Sequence, residues 1–274
     1  MQIAEVSAPQ NLNEALSFYK RFPNVVPASG CTSLMLESSN KSISIISLHN
    51  IQELHKIAKT DRFIEFGAGV TLSRILQIPN IPQLFPLQKA IETIGTFSTR
   101  NLATIGGNLF VNGTGTLFPI LVLLDANCEL RTFNTIKTIK IYDLIKPQNK
   151  SMLPDSFIIT KIRIPLEYSW QVFLFAKNST NTFPDPETVL LALTADFLDS
   201  NCTNMRIMIH DGRVIRVRPV ELYLIGKEFP LAGEEIETTL SIFSDLLIEQ
   251  NFSKTQQYFF IENLINYLSN IPGD

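Results

Sequence analysis

The sequence predicts a chain of mixed helices and strands in two domains, and three observations carry that expectation. Short strand and helix signals alternate from the amino terminus to about Pro165. Beyond that point strand-like segments come first and two long helical runs follow, the pattern of a sheet covered by helices. The 274 residues are also enough to bury a sizeable core and to hold two domains. The change of pattern sets a boundary near residues 166–170 and divides the chain into 1–167 and 168–274.

Each element has its own local reason. Asn11 reads as an N-cap ahead of an amphipathic helix reaching about Tyr19, and Asn24–Ala28 as a short strand. Ser29-Gly30-Cys31-Thr32-Ser33-Leu34 is a loop of small residues. Ile43–Leu48 is strand-like, and Ile51–Ala58 is predicted helical. Phe63–Val70 is a strand ending in glycines, and Thr71 caps the helix that follows. Pro86–Gly95 is predicted to run as a helix into a glycine loop, with a further helix over Leu117–Leu124. Glu129–Phe133 and Lys137–Ile141 alternate as a hairpin, and Phe157–Pro165 closes the first part as a strand. In the second part Val172–Ala176, Val189–Leu198 and Met205–His210 read as strands or mixed elements. Glu234–Gln250 and Lys254–Leu268 read as the terminal helices.

Composition excludes several functions. Hydrophobic residues make up 45% and charged residues 18%, as in an ordinary globular protein, and the net charge of −3 offers no basic footprint for nucleic acid. No apolar run approaches the roughly 20 residues of a membrane span. The stretch Met1-Gln2-Ile3-Ala4-Glu5 has no signal-peptide pattern, so a cytoplasmic location is expected. Cys31, Cys128 and Cys202 form no Cys-x-x-Cys pair, and His49 and His55 stand six apart, so a metal or iron–sulfur site within this chain is not expected. His210 precedes Asp211-Gly212 and reads as a strand end. No nucleophile–base or general acid–base pair stands out, so no catalytic residue is assigned. Any redox chemistry must come from an organic cofactor.

The segment Thr99-Arg100-Asn101-Leu102-Ala103-Thr104-Ile105-Gly106-Gly107-Asn108-Leu109 is the most informative stretch. Adjacent glycines tolerate positive φ, and successive amides in such a turn can converge on an anion. Thr104 and Asn108 add a hydroxyl and an amide for phosphate or ribose oxygens. A tight hairpin turn without a ligand is the other reading of a Gly-Gly pair.

Arg100-Asn101, Thr104–Leu109, Phe118-Pro119-Ile120-Leu121 and Leu124-Asp125-Ala126 together resemble the second FAD-binding segment of the molybdenum hydroxylase flavoproteins. These are the FAD-carrying medium subunits or domains of xanthine dehydrogenase, carbon monoxide dehydrogenase and their relatives. Ser29–Leu34 stands where that family carries its first FAD loop, usually Ala-Gly-Gly-Thr-Asp-Leu. Phe66–Leu72 resembles the family's Ile-Gly-Ala-x-Val-Thr-Leu strand. Ile159–Pro165 with Phe175-Ala176-Lys177 is similar to the segment joining its two domains, and Arg218–Gly226 to a stretch of its carboxy-terminal domain.

Departures from the family pattern are local. Cys31 replaces the second glycine of the first loop and Ser33 its acid. A cysteine without a partner thiol reads as a small buried hydrophobe here. Asn112-Gly113-Thr114-Gly115-Thr116 replaces a run that ends in an aspartate, leaving amides and two hydroxyls. Asn178-Ser179-Thr180-Asn181 lacks the arginine often found beside the flavin. Lys177 matches, although a lysine lying over a sheet surface reads the same way from sequence alone.

The resemblance implies an α+β protein: a vanillyl-alcohol-oxidase-like FAD domain of two subdomains over 1–167 and a sheet-and-helices domain, as in carbon monoxide dehydrogenase flavoprotein, over 168–274. It implies FAD held through Ser29, Gly30, Cys31, Thr32, Ser33, Leu34, Thr104, Gly106, Gly107, Asn108, Thr116, Ile159 and Lys177, with no metal ligand. It also implies an electron relay between an iron–sulfur subunit, fed by a molybdopterin-containing subunit, and an acceptor such as NAD. Two rival readings are a free-standing flavin oxidase and an interaction subunit that has lost FAD.

Overall fold

The computed structural model describes residues 2–34, 42–79, 81–111, 115–144, 153–154, 156–168, 170–179 and 188–270. The chain divides into two compact units, Met1–Glu167 and Tyr168–Asp274.

The first unit holds two sheets. Strands β1 (Gln2–Ser7), β2 (Val26–Ala28) and β3 (Ser42–Ser47) form a small parallel sheet in the order β1-β3-β2. Helix α1 (Leu12–Arg21) covers it. Asn11 Oδ1 accepts the Glu14 amide at 3.0 Å while Glu14 returns its carboxylate to the Gln10 amide at 2.9 Å, so the helix start is closed on both sides. Leu12, Ala15 and Leu16 bury the inner face against Ile46, Leu48, Ile51 and Leu54.

The second sheet is antiparallel: β4 (Ile57–Lys59), β5 (Phe63–Gly67), β8 (Ile158–Pro165), β6 (Asn127–Arg131) and β7 (Ile136–Lys140), in that spatial order. Ile162 and Ile164 of β8 face the core, and the alternate residues Lys161 and Arg163 carry charge on the other face. There Lys161 Nζ meets Glu65 at 3.0 Å, and Arg163 bonds Glu65 at 2.6 Å and Glu129 at 3.3 Å, joining β5, β8 and β6. Burial pushes the Glu65 carboxyl up, but the bonds from Arg163 and Lys161 outweigh it and hold the group below its usual value.

Between β5 and β6 in sequence lie α2 (Leu72–Leu76), α3 (Phe85–Glu92), α4 (Phe97–Leu102), α5 (Ile105–Asn108) and α6 (Leu117–Leu123). All seven residues of α6 are buried. Two sequence expectations are corrected in this region. Ile51–Ala58 forms a short 3-10 turn over Gln52–His55 and then strand β4, because the Gly67 amide takes the Lys56 carbonyl and the Gly69 amide the Leu54 carbonyl, both at 2.8 Å. The helix predicted over Pro86–Gly95 stops at Glu92, with Gly95 left-handed at φ 51°, and α4 starts anew under the Thr96 hydroxyl. Thr71 sits at the N-cap of α2 without a side-chain capping bond.

The second unit is an antiparallel meander, β9 (Val172–Asn178), β10 (Val189–Leu198), β11 (Asn201–His210) and β12 (Val214–Arg216), with α7 (Arg218–Leu224), α8 (Gly233–Glu249) and α9 (Lys254–Asn270) on one face. Val189, Leu191, Leu193 and Ala195 pack with Phe243, Leu247, Phe260 and Leu264 in its core. The Glu221 carboxylate of α7, 1% exposed, accepts the Ile207 amide at 2.8 Å and Arg216 Nε at 3.0 Å, which ties helix to sheet. No helix among the described residues is long and apolar enough to cross a membrane.

Candidate cofactor site

The first unit contains a cavity of about 500 Å³, within the range of small-molecule and cofactor pockets. Its wall is built from the loop after β2, the turn after β5, helix α5 and the start of β8. Ser29 through Leu34, Thr104, Gly106, Gly107, Asn108 and Ile159 all line it. Two sequence segments some seventy positions apart thus meet around one space. Thr116 is not in the lining; it stands at the N-cap of α6 without a side-chain capping bond. Lys177 belongs to the second unit, where on strand β9 it pairs with Leu190 of β10 and burial lowers its ammonium pKa. Asn112, Gly113, Thr114, Thr180 and Asn181 lie outside the described residues.

Close backbone approach explains the glycines. A Cβ on Gly30 would overlap the carbonyl of Leu102, so the first loop rests directly on the chain entering α5. A Cβ on Gly106 would come 2.7 Å from the Ala68 Cβ and 2.8 Å from its carbonyl oxygen. This corrects the expectation of an anion-binding nest at Gly106-Gly107. Both glycines lie in the short helix α5, and neither is among the residues of positive φ. Their amides and that of Ile105 are already committed: Ile105 to the Val70 carbonyl at 3.0 Å, Gly106 to the Ala68 carbonyl at 2.9 Å and Gly107 to the Thr104 hydroxyl at 3.1 Å. Asn108 donates its amide to the Thr104 carbonyl, and its Oδ1 accepts the Leu117 amide at 2.9 Å, so it starts α6 as well as ending α5.

The first loop is the opposite case. Among the described residues, no hydrogen bond uses the amides of Gly30, Cys31, Thr32 or Ser33. The Ser29 hydroxyl is buried and has no partner. Cys31 takes a left-handed conformation at φ 54°, a shape that favours glycine and costs other residues about 1–2 kcal/mol. Its Sγ lies 3.8 Å from the Ser29 carbonyl oxygen, and burial pushes the thiol pKa up, so the group is a neutral thiol. Cys128 and Cys202 are buried too, pushed up to about 12 and about 11 by burial.

Among the described residues, no Lys, Arg, Asp or Glu occurs in the lining. An anion here would meet backbone amides and hydroxyls of the described lining. The apolar wall, from Val26, Ala28, Leu48, Leu54, Phe110 and Ile158, suits flat rings. Free loop amides, an orphaned hydroxyl and an apolar wall fit a dinucleotide cofactor. Tyr19, Phe110 and Phe157 also line the cavity and went unnoticed in the sequence as site residues. The helical spacing Leu12, Ala15, Leu16, Tyr19 puts Tyr19 on the inner face of α1 and would have signalled it.

Comparison with known proteins gives a consistent picture. Residues 2–167 match the family described as FAD binding domain in molybdopterin dehydrogenase. The nicotinate dehydrogenase FAD-subunit of Eubacterium barkeri is 26% identical over 265 residues, covering 91% of this chain and 88% of that protein. The nicotine 6-hydroxylase medium subunit of Paenarthrobacter nicotinovorans is 27% identical over 213 residues, covering 74% of each. In fold, the chain is similar to carbon monoxide dehydrogenase from Hydrogenophaga pseudoflava, with a TM-score of 0.76 at 19% identity over 89% of this chain and 87% of that one. Quinoline 2-oxidoreductase from Pseudomonas putida 86 gives 0.74 at 19% identity, over 88% and 85%.

Proposed function

We propose that this chain, which belongs to the family of FAD-binding domains in molybdopterin dehydrogenases, holds its FAD in the cavity lined by Ser29–Leu34 and Thr104–Asn108 and relays electrons through it. It is a flavoprotein oxidoreductase subunit, and FAD is its cofactor. The observation that carries the placement is that the amides from Gly30 to Ser33 take no partner among the described residues, in a loop lining the cavity inside the matched residues.

Bound FAD supplies the electron-accepting and electron-donating chemistry; the chain supplies position and surroundings. The amides of Gly30, Cys31, Thr32 and Ser33 hold the pyrophosphate, and the apolar wall keeps water from the ring system. Thr104 and Asn108 order α5 and α6 behind the cavity. Ile159 contributes to the wall from β8. Assignment of Thr116 and Lys177 to the cofactor rests on the sequence resemblance alone.

In this reading residues 1–167 are the FAD domain and 168–274 the domain found after it in carbon monoxide dehydrogenase flavoprotein. The chain works beside an iron–sulfur subunit and a molybdopterin-containing subunit, and passes electrons on to NAD or another acceptor. Among the described residues the lining offers no acidic or basic side chain to serve as a substrate base, which favours a relay over an oxidase.

The visible spectrum of the purified chain tests the placement: flavin bands are expected, lost when Gly30 is replaced by a larger residue. A colourless protein that takes up no added FAD overturns it. The relay role is tested by mixing the isolated chain with purines or aldehydes and an artificial acceptor. No turnover is expected, and sustained reduction of the acceptor by this chain alone overturns the role.

A further inference from the structure

Helix α4 carries an inference that rests on the reading of this chain as an electron relay. None of its six residues is buried. So short a helix is marginal in water and ordinarily takes its stability from packing an apolar face. Here Thr99 and Arg100 turn inward. The Thr99 side chain lies against Gly95, and Arg100 donates to the Ile94 and Gly95 carbonyls at 3.0 Å. The opposite face presents Phe97, Ser98, Asn101 and Leu102, with Phe97 68% and Leu102 56% exposed. Large apolar side chains thus stand at both ends of an uncharged face, on a helix that buries nothing of its own. The same element adjoins the cavity: Leu102 seats Gly30 through its carbonyl, and the next two residues, Ala103 and Thr104, line the space. Phe110, 55% exposed, carries apolar surface to the cavity itself.

We propose that the exposed face of α4 is the docking surface for the iron–sulfur partner of the relay. Electron transfer between two centres weakens steeply with their separation, so the subunit that carries the donor cluster has to cover surface next to the flavin cavity. The face of α4 meets that requirement and has the make-up of an interface core, which is poor in charge and rich in aromatic residues. Covering Phe97 and Leu102 supplies the burial that α4 lacks in the single chain. The matching surface of the partner is apolar and uncharged.

The complex is isolated from its own cell through a tag on this chain and assayed for flavin, iron, acid-labile sulfide and molybdenum. Phe97→Asp combined with Leu102→Lys places charge on the face, with signs that suit the start and the end of a helix. As a full chain expressed alone, the double variant should keep wild-type flavin content and melting temperature. In the complex it should carry about ten-fold less iron and sulfide per flavin. Phe97→Leu, which stays apolar, should carry iron as wild type does. Wild-type iron in the charged variant overturns the proposal. So does loss of molybdenum with iron retained, which would give the face to the molybdopterin-containing subunit. Self-association that the charged variant abolishes while iron stays overturns it as well, in favour of a second copy of this chain. If the charged variant loses flavin or melts below wild type, photo-crosslinking through Phe97→benzoylphenylalanine decides instead. Cross-links to the chain bearing the cluster cysteines support the proposal, and cross-links only to other chains, or none, overturn it. A wild-type complex without iron overturns the relay itself, a result distinct from all of these.

Discussion

Gly30 and Leu102 touch backbone to backbone: a Cβ on Gly30 would overlap the Leu102 carbonyl. The first loop is thereby seated on the last residue of α4, two positions before the Thr104 cap. This contact brings segments distant in sequence to one cavity. Gly30→Ala must push them apart. It should cost about 1–3 kcal/mol in stability, as overpacking does, and reduce flavin retention in the same sample. Urea unfolding and the flavin-to-protein absorbance ratio measure the two effects.

The two glycines of α5 should behave differently. Gly106 is closed in by Ala68, whereas a Cβ on Gly107 meets only the Thr104 hydroxyl, at 3.0 Å. Gly106→Ala is expected to destabilise by about 1–3 kcal/mol. Gly107→Ala should fall within about 1 kcal/mol of wild type, since the helix gains from alanine what the tight hydroxyl contact loses. Equal costs in thermal or urea unfolding would refute this division.

Cys31 holds a left-handed backbone shape that favours glycine. Cys31→Gly removes a side chain from a left-handed position and leaves the loop amides in place. The relief of about 1–2 kcal/mol is partly offset by the greater freedom of glycine in the unfolded chain. A net gain of up to about 1 kcal/mol is expected, with FAD bound at least as tightly. A loss of stability in Cys31→Gly would mean that the thiol contributes packing the backbone account leaves out.

His210 links the second unit to pH. Burial lowers its pKa from about 6.5 to about 4, against the opposing pull of Asp211 and a backbone bond at Thr188. The unfolded chain therefore takes up a proton near pH 6.5 that the folded chain refuses until near pH 4. Stability from this group is full above pH 6.5 and declines as the pH falls between these values. Between pH 7.5 and pH 5 the loss should be about 2 kcal/mol. His210→Gln should flatten that part of the profile in urea titrations, and an unchanged slope would refute the assignment.

Much of the fold was legible because it is written in local periodicity. The spacing of Leu12, Ala15 and Leu16 specifies α1, and alternation in Glu129–Phe133 and Lys137–Ile141 specifies the β6–β7 hairpin. Helix α4 was not legible: Phe-Ser-Thr-Arg-Asn-Leu has weak helix propensity. It is held by the Thr96 cap and by Arg100 reaching back to the Ile94 and Gly95 carbonyls at 3.0 Å. Ile51–Ala58 was misread because its carbonyls are captured by Gly67 and Gly69, partners more than ten residues away. The same limit applies at the cavity. Sequence patterns name Ser29–Leu34 and Thr104–Asn108. They cannot show that the amides of Gly106 and Gly107 are taken by Ala68 and Thr104 while those of Gly30–Ser33 take no partner among the described residues.

The charged face of the antiparallel sheet also settles how its strands align. Glu65 stands opposite Arg163 across β5 and β8, and Glu129 opposite Lys161 across β6 and β8. Sliding β8 by one residue would turn Lys161 and Arg163 into the core and bring Ile162 and Ile164 out to the acids. That error would bury two cations among aliphatic side chains, so misaligned pairings are rejected while the sheet assembles. Correct alignment in turn fixes Ala68, whose amide bonds the Thr160 carbonyl of β8 and whose own carbonyl receives the Gly106 amide. A polar ladder on one face of the sheet thus acts as a ruler for the cavity wall, setting its dimensions before any ligand arrives.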